Sequence, residues 1–409
     1  MPSRALRIGV VGLGRAFGLM LPTFLQDPRV QLVAATDPGA MPCQQFERDF
    51  GVRCSADAKA LCDNPEVDVV FIASPHQFHA EHAVTALQSG KHVWVEKPMA
   101  LTLAECSAMV DAARRANRLL MVGHSHSFDA PILLTAQLIQ SGQFGAVRML
   151  HALQYTDFLY RARRPEELKT AQGGGVIFSQ GAHQVDVCRL LCGGLVRQVQ
   201  AHCGVWDASR PTEGAYSALL RFEGGAFASL TYSGYGLFDS NDWMGNVGEL
   251  GHDLNGLPKA KNRRLQIQRQ GEPDAVALEA HLKAQRNYGG EGWSGMQGIK
   301  PAAHHQHFGP LIVSCDLADL RPTPKGIAVH GIDGTSMIEL PPPIVPRVEV
   351  IDELYGAIVK GQALLHSGEW ARATLEASLA ILQASQTESR VNAFQYQVSP
   401  ACELGSLSL

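Results

Sequence analysis

Two short stretches carry residue types that move protons. HVWVEKPMA, residues 92–100, sets Lys97 directly after a short apolar run and before Pro98. A lysine at the C-terminal end of a buried strand stands where open parallel sheets gather their ligand contacts, and partial desolvation there tunes it as a proton donor or acceptor. Pro98 fixes the backbone beside it. The competing reading is a surface lysine paired to Glu96, and residue types alone leave both open. GGGVIFSQGAHQVD, residues 173–186, places three glycines before an apolar run, then His183 at the start of a helical pattern, with Ser179 four residues earlier. Histidine titrates near neutrality and can give or take a proton; the alternative is a helix-start histidine bonded to backbone.

A third group of residues is of the type that holds phosphates and a ribose. Gly12, Gly14 and Gly18 in GVVGLGRAFGLM follow an apolar run and open a helical pattern, so the backbone can turn sharply and bring amide N–H groups to a pyrophosphate. Phe17 stands where the third glycine of this pattern is usual. Asp37 closes QLVAATD, 25 residues beyond Gly12, at the spacing of a carboxylate that binds ribose hydroxyls. Its charge repels a 2'-phosphate and no arginine follows, which favours NAD over NADP; a turn role before Pro38 is the alternative.

These residues need a scaffold of two kinds. Between residues 6 and 125 the runs LRIGVVGLG, QLVAATD, VDVVFIASP, KHVWVEKP and RLLMVGH alternate with helical patterns, which predicts a parallel sheet with crossover helices. From about Val147 longer alternating runs (VRMLHALQYTD, EGAYSALLRFEG, GAFASLTYSG, RRLQIQR, GPLIVSC, KGIAVHG, TSMIELP) predict a mainly antiparallel sheet. AHQVDVCRLLCG and two segments within 348–390 read as helices. The expectation is an α/β protein with an N-terminal Rossmann domain over 1–125 and an α/β domain with a large open sheet over 126–409. Residues 241–308, rich in Gly, Asn and His, read as mobile substrate-side loops.

With 409 residues, 45% hydrophobic and 18% charged, the chain has the composition of a globular protein of two domains. Its net charge of −4 gives no reason to expect nucleic acid or an acidic membrane as partner. No run reaches the length of a membrane span and the first residues lead straight into a strand, so the expected location is the cytoplasm. Nine cysteines without a Cys-x-x-Cys pair read as reduced and mostly structural.

Together, GLGRAFG, TDP, IASPHQFHAEHAVTALQSGKHVWVEKP, MVGH and GGGVIFSQGAHQVDVCRLL resemble the glucose-fructose oxidoreductase, inositol dehydrogenase and MocA (Gfo/Idh/MocA) family over nearly the whole chain. The resemblance implies NAD as cofactor, Lys97 as the catalytic lysine on the reacting hydroxyl, and His183 as the second catalytic residue. It implies Gly12, Gly14, Arg15, Ala16, Asp37, Ser74, Pro75, His79, Glu96 and Lys97 as cofactor contacts, His124 as a substrate contact, and a homodimer or homotetramer through the open sheet. Many relatives carry aspartate where this chain has Ser179. A neutral hydroxyl there, as part of the substrate site with His183, suits a substrate bearing its own negative charge.

RARRPEEL supplies Arg161, Arg163 and Arg164, whose guanidinium forks suit carboxylates; the alternative is a solvated run balanced by Glu166 and Glu167. His304, His305 and His307 match no common zinc frame, so no metal is expected, and contact with an anionic ligand is the alternative role. RARRPEEL, FSQGAHQVD and HFGPLIVSCDLADLRPTPKG resemble the phthalate cis-dihydrodiol dehydrogenases, implying oxidation of cis-4,5-dihydro-4,5-dihydroxyphthalate, a small anionic precursor of an aromatic product. Other readings are a sugar or inositol dehydrogenase, a relative in which transient oxidation drives elimination, and a non-catalytic NAD-binding protein.

Overall fold

The computed structural model describes residues 4–254, 275–293, 295–298 and 301–400. The chain forms two compact units. The first comprises residues 1–124, 277–301 and 344–372, and the second 125–276, 302–343 and 373–409. A single boundary near residue 125 therefore does not describe the chain, which returns twice to its first unit.

In the first unit, β1 (Leu6–Val11), β2 (Val30–Thr36), β3 (Val69–Ile72), β4 (His92–Val95) and β5 (Leu120–Val122) form a wholly parallel sheet in the order β2-β1-β3-β4-β5. All five runs expected from the sequence are strands. The crossovers include α1 (Arg15–Gln26), α2 (Ala40–Phe50), α3 (Ala58–Asp63), α4 (His79–Gln88) and α5 (Leu103–Ala116). Burial on both faces explains the continuous Val and Ile runs. Thr102 and Glu105 close a reciprocal capping box that starts α5.

Phe17 is fully buried and meets Phe24, Phe46 and Tyr288, with the Tyr288 ring edge-on at 5.0 Å. Here a core aromatic takes the position where a glycine is usual, and residues 277–301 supply one wall of its pocket. This corrects the expectation that all of 241–308 forms substrate-side loops: Tyr288 is buried and its hydroxyl donates to Asp49 at 2.6 Å.

The second unit is built on eight strands: β6 (Val147–Tyr155), β7 (Val196–Gly204), β8 (Ala215–Phe222), β9 (Phe227–Ser233), β10 (Leu311–Cys315), β11 (Ala318–Thr323), β12 (Gly326–Gly331) and β13 (Gly334–Glu339). Their order is β13-β12-β11-β10-β6-β9-β8-β7. Only β6 and β9 pair parallel; every other neighbour is antiparallel. β7 and β11 were not expected, because their polar residues and Pro322 weaken the strand signal; RRLQIQR lies outside the described residues.

α6 (Ala130–Gln140), also unexpected, and α7 (Ala182–Leu191) belong to this unit. α7 is buried along its whole described length from His183 to Leu191. α8 (Ala275–Gln285), α9 (Val348–Lys360) and α10 (Gly368–Thr387) complete the helices. None of the described helices is long and apolar enough to cross a membrane. The eight described cysteines are free.

Candidate functional site

In the first unit, the glycine loop has the geometry a dinucleotide needs. Gly12 has φ +97°, and a Cβ there would stand 2.7 Å from the Ser74 amide nitrogen, so the loop passes too close to its neighbour for a side chain. At Gly14 a Cβ would meet nothing within 4 Å. Gly14 begins α1 without a side-chain cap, leaving first-turn amides available to an anion. The Asp37 carboxylate accepts from the Leu13 amide at 2.8 Å and the Gly39 amide at 2.7 Å. It thus ties the end of β2 to the glycine loop, and each oxygen retains a second lone pair for a ribose hydroxyl. These residues fit NAD. Arg15 is exposed and Ala16 half-buried on the opening turn of α1.

Lys97 is half-buried, between the buried Glu96 and Pro98. Burial raises the Glu96 pKa, while the neighbouring Lys97 and Arg347 charges and the His124 and Lys97 amides pull it back down. Glu96 is therefore anchored largely by its own unit. His124 is also buried, at 4% exposure, at the end of the same unit.

His79 departs from the expected cofactor contact. Its ring is fully buried, with Nδ1 2.9 Å from the Pro98 carbonyl and Nε2 2.9 Å from the Ser74 carbonyl. Burial pushes its pKa down to about 4. The imidazole braces the segment around Ser74 and Pro75 against the backbone just after Lys97. Ser74 Oγ lies 3.0 Å from His82 Nδ1.

In the second unit, the glycine triplet has a specific cause. Gly175 has φ +79°, and a Cβ would fall 2.0 Å from Glu213 Oε1. The buried Glu213 carboxylate accepts from the Thr170 hydroxyl and from the Ile177 amide at 3.3 Å, and burial raises its pKa. Immediately after this anchor, Ile177–Gly181 form a π-helical turn that feeds α7. Ser179 sits half-buried in that wider turn, so an α-helical turn is not what links it to His183. Sequence periodicity does not distinguish such a turn from an ordinary helix start.

His183 is 7% exposed. Its Nδ1 accepts a long hydrogen bond, 3.4 Å, from the His126 amide, which puts the proton of a neutral ring on Nε2. Its ring lies 4.7 Å from the His126 ring and 5.0 Å from Phe308. His126 Nδ1 is 2.6 Å from Asp129 Oδ2, with side chains 7% and 2% exposed. His126, Gln184, Gln306, His307 and Phe308 help to line a cavity, with Ile132, Val187 and Leu311 among its apolar walls. The sequence reading missed His126 and Asp129; their i, i+3 spacing before a helix was the available signal.

Each of the three arginines has partners in its own unit. Arg161 meets Asp157 at 2.9 Å, and Arg164 meets Glu166 at 2.8 Å. Arg163 stacks on the Phe158 ring at 3.6 Å, donates to the Phe158 carbonyl at 2.7 Å and stands 3.9 Å from Glu167. Burial lowers the Arg163 pKa to about 10. They are thus neither a solvated run nor a uniform anion cradle.

The other histidine cluster is structural where its contacts are seen. His307 Nε2 faces the Val247 carbonyl at 2.9 Å while Nδ1 accepts from the Gly309 amide at 3.0 Å, so both nitrogens are committed to backbone. His305 Nε2 is 2.8 Å from the Pro341 carbonyl, and His304 Nε2 is 3.2 Å from Asp253. The expectation that this cluster meets an anion does not hold for His307. Among the described residues, no group of three or more His, Cys, Asp or Glu side chains is arranged to hold a metal ion.

Comparison with known proteins adds three findings. Residues 6–124 match the model of an oxidoreductase family with an NAD-binding Rossmann fold, and residues 132–248 match the GFO/IDH/MocA C-terminal domain. The chain is 49% identical over 386 residues to a 1-carboxy-3-chloro-3,4-dihydroxycyclohexa-1,5-diene dehydrogenase of Comamonas testosteroni, covering 94% of this chain and 96% of that one. It is 32% identical to inositol 2-dehydrogenase 2 of Saccharopolyspora erythraea over 48% of this chain and 57% of the relative. Among solved structures, one from Bordetella bronchiseptica RB50 superposes with a TM-score of 0.87 at 37% identity, covering 95% of this chain and all of that chain.

Proposed function

The chain belongs to the GFO/IDH/MocA family of NAD-dependent oxidoreductases, and from that premise we propose that its substrate is a cis-dihydroxycyclohexadiene carrying ring carboxylate, oxidised toward a catechol. The observation that carries this reading is the near full-length similarity to a dehydrogenase of a carboxylated dihydroxycyclohexadiene. The cavity in the second unit supports it. Its lining sets apolar Ile132, Val187 and Leu311 and the aromatic Phe308 beside the polar His126 and Gln184, a mixture that suits a carboxylated six-membered ring.

In this reading Lys97, as the amine, takes the proton of the reacting hydroxyl, and His183, with its proton on Nε2, is the second catalytic residue. A bound nicotinamide supplies the hydride acceptor. Arg163 is proposed to bind a ring carboxylate, because its guanidinium is desolvated and held flat by Phe158. Arg161 and Arg164 lie 2.9 and 2.8 Å from their acids, against 3.9 Å between Arg163 and Glu167, which makes Arg163 the one of the three most readily turned to a ring carboxylate. The phthalate dihydrodiol, with two carboxylates, is the second candidate substrate.

The test is an NADH-release assay with the 3-chloro monocarboxylate dihydrodiol, the phthalate dihydrodiol, inositol and common aldoses. Turnover of a carboxylated dihydrodiol with none on polyols is expected; preference for inositol would replace this reading with the polyol one that the Saccharopolyspora erythraea relative represents. Lys97→Ala is expected to lower kcat by about 100-fold or more, the scale of a lost general base. Undiminished turnover would remove Lys97 from the proton step.

A further inference from the structure

We infer that this protein catalyses a second chemical step after the oxidation, the aromatising tautomerisation, and that the His126–Asp129 pair is its base. The inference rests on the dihydrodiol reading above. Oxidising one carbinol of a dihydrodiol that has hydrogen on both carbinol carbons, as the phthalate dihydrodiol does, leaves a ketone beside a carbon that still carries both hydrogen and hydroxyl. Becoming a catechol requires that carbon to lose a proton and the carbonyl oxygen to gain one, with no further change of oxidation state.

The second unit supplies a base built for such a transfer. Asp129 precedes the first residue of α6, where its buried carboxylate lies against the His126 ring. A carboxylate only accepts, so the 2.6 Å contact fixes the proton of neutral His126 on Nδ1 and makes Nε2 the basic nitrogen. Orientation and charge support of this kind are what a buried aspartate gives a catalytic imidazole.

Elimination among the cavity's polar lining points the same way. Gln184 is committed to Tyr216 and Thr231, Thr323 donates to the Gly326 carbonyl, and both His307 nitrogens are held by backbone. Gln306 is not a base. His126 is the lining residue with an imidazole set up to accept a proton, and its own amide orients His183 as a donor. The two rings, 4.7 Å apart, therefore present opposite hydrogen-bonding character side by side.

In the step, His126 Nε2 takes the proton from the remaining carbinol carbon. The C–H electron pair becomes a ring double bond, and the carbonyl π pair moves to oxygen. That oxygen takes a proton from solvent. The imidazolium then releases its proton to solvent.

Rapid mixing of enzyme, NAD and a carboxylated dihydrodiol, with NADH and catechol absorbance followed separately, tests this. In the wild type the two signals rise together. His126→Gln is expected to slow catechol formation by about 100-fold, the order of a lost general base, and to slow NADH formation by much less. A lag then opens, during which the hydroxyketone can be trapped with hydroxylamine. Asp129→Asn should open a shorter lag, and deuterium at the second carbinol carbon should lengthen it in both variants. Simultaneous NADH and catechol signals in both variants would overturn the inference, whether the rates are normal or equally reduced. A wild type that releases no NADH from any dihydrodiol would instead overturn the underlying reading, and this inference with it.

Discussion

His79 shows how one buried side chain can brace the backbone around a candidate site. Its two nitrogens face the carbonyls of Ser74 and Pro98, and the neutral ring, with one N–H, donates to one of them and packs against the other. Its pKa of about 4 lies below the ordinary histidine value near 6.5, so the unfolded chain binds a proton over this interval and the native chain does not. Stability contributed by neutral His79 is therefore complete above about pH 6.5 and is lost as pH falls toward 4, by up to ~3 kcal/mol. Thermal melts between pH 7 and 4 should show this loss, with a shallower slope in His79→Asn; equal slopes would assign the acid sensitivity to other groups. His82, His92, His305 and His307 are also lowered by burial and add to the slope in both proteins.

At the scale of elements, the π-helical turn and the glycine before it form one device. Gly175 admits the Glu213 carboxylate, which holds the turn from which α7 carries His183. Gly175→Ala should cost more than about 2 kcal/mol in denaturant unfolding, since both the positive φ and the Glu213 contact oppose a side chain. A change under half a kcal/mol would show that the loop can relax. The parallel sheet was legible in the sequence because Val- and Ile-rich runs and crossover helices repeat one pattern, and Lys97, His183 and Asp37 stood out by motif. The His126–Asp129 pair was not: HSHSFDAP contains no periodic signal, and its meaning comes from Phe308, about 180 residues later. β7 hid because its outward residues are Arg, Gln and His, which read as loop.

At the scale of the whole molecule, the open sheet presents apolar side chains outward: Leu219 is 52% exposed, Phe227 44%, Ile312 42% and Met337 41%. They come from β8, β9, β10 and β13; those of β8, β9 and β10 alternate with buried neighbours, as expected of a sheet with one face on its own core, while the edge strand β13 is exposed along nearly its whole length. The family resemblance led us to expect subunit contact through this sheet. Leu219→Asp combined with Phe227→Asp should therefore convert a dimer or tetramer to monomer in sedimentation, with secondary structure retained. An unchanged sedimentation coefficient would move the interface elsewhere.

Phe17 has a consequence for how the chain matures. Tyr288, against which it packs, is synthesised long after α1, and residues 344–372 of the same unit later still. During translation the five strands of the first sheet emerge early, but one wall of their aromatic core does not yet exist. The second unit likewise waits for residues beyond 373. Each unit is thus closed by segments far apart in sequence, and neither core is assembled from one continuous early stretch of the nascent chain.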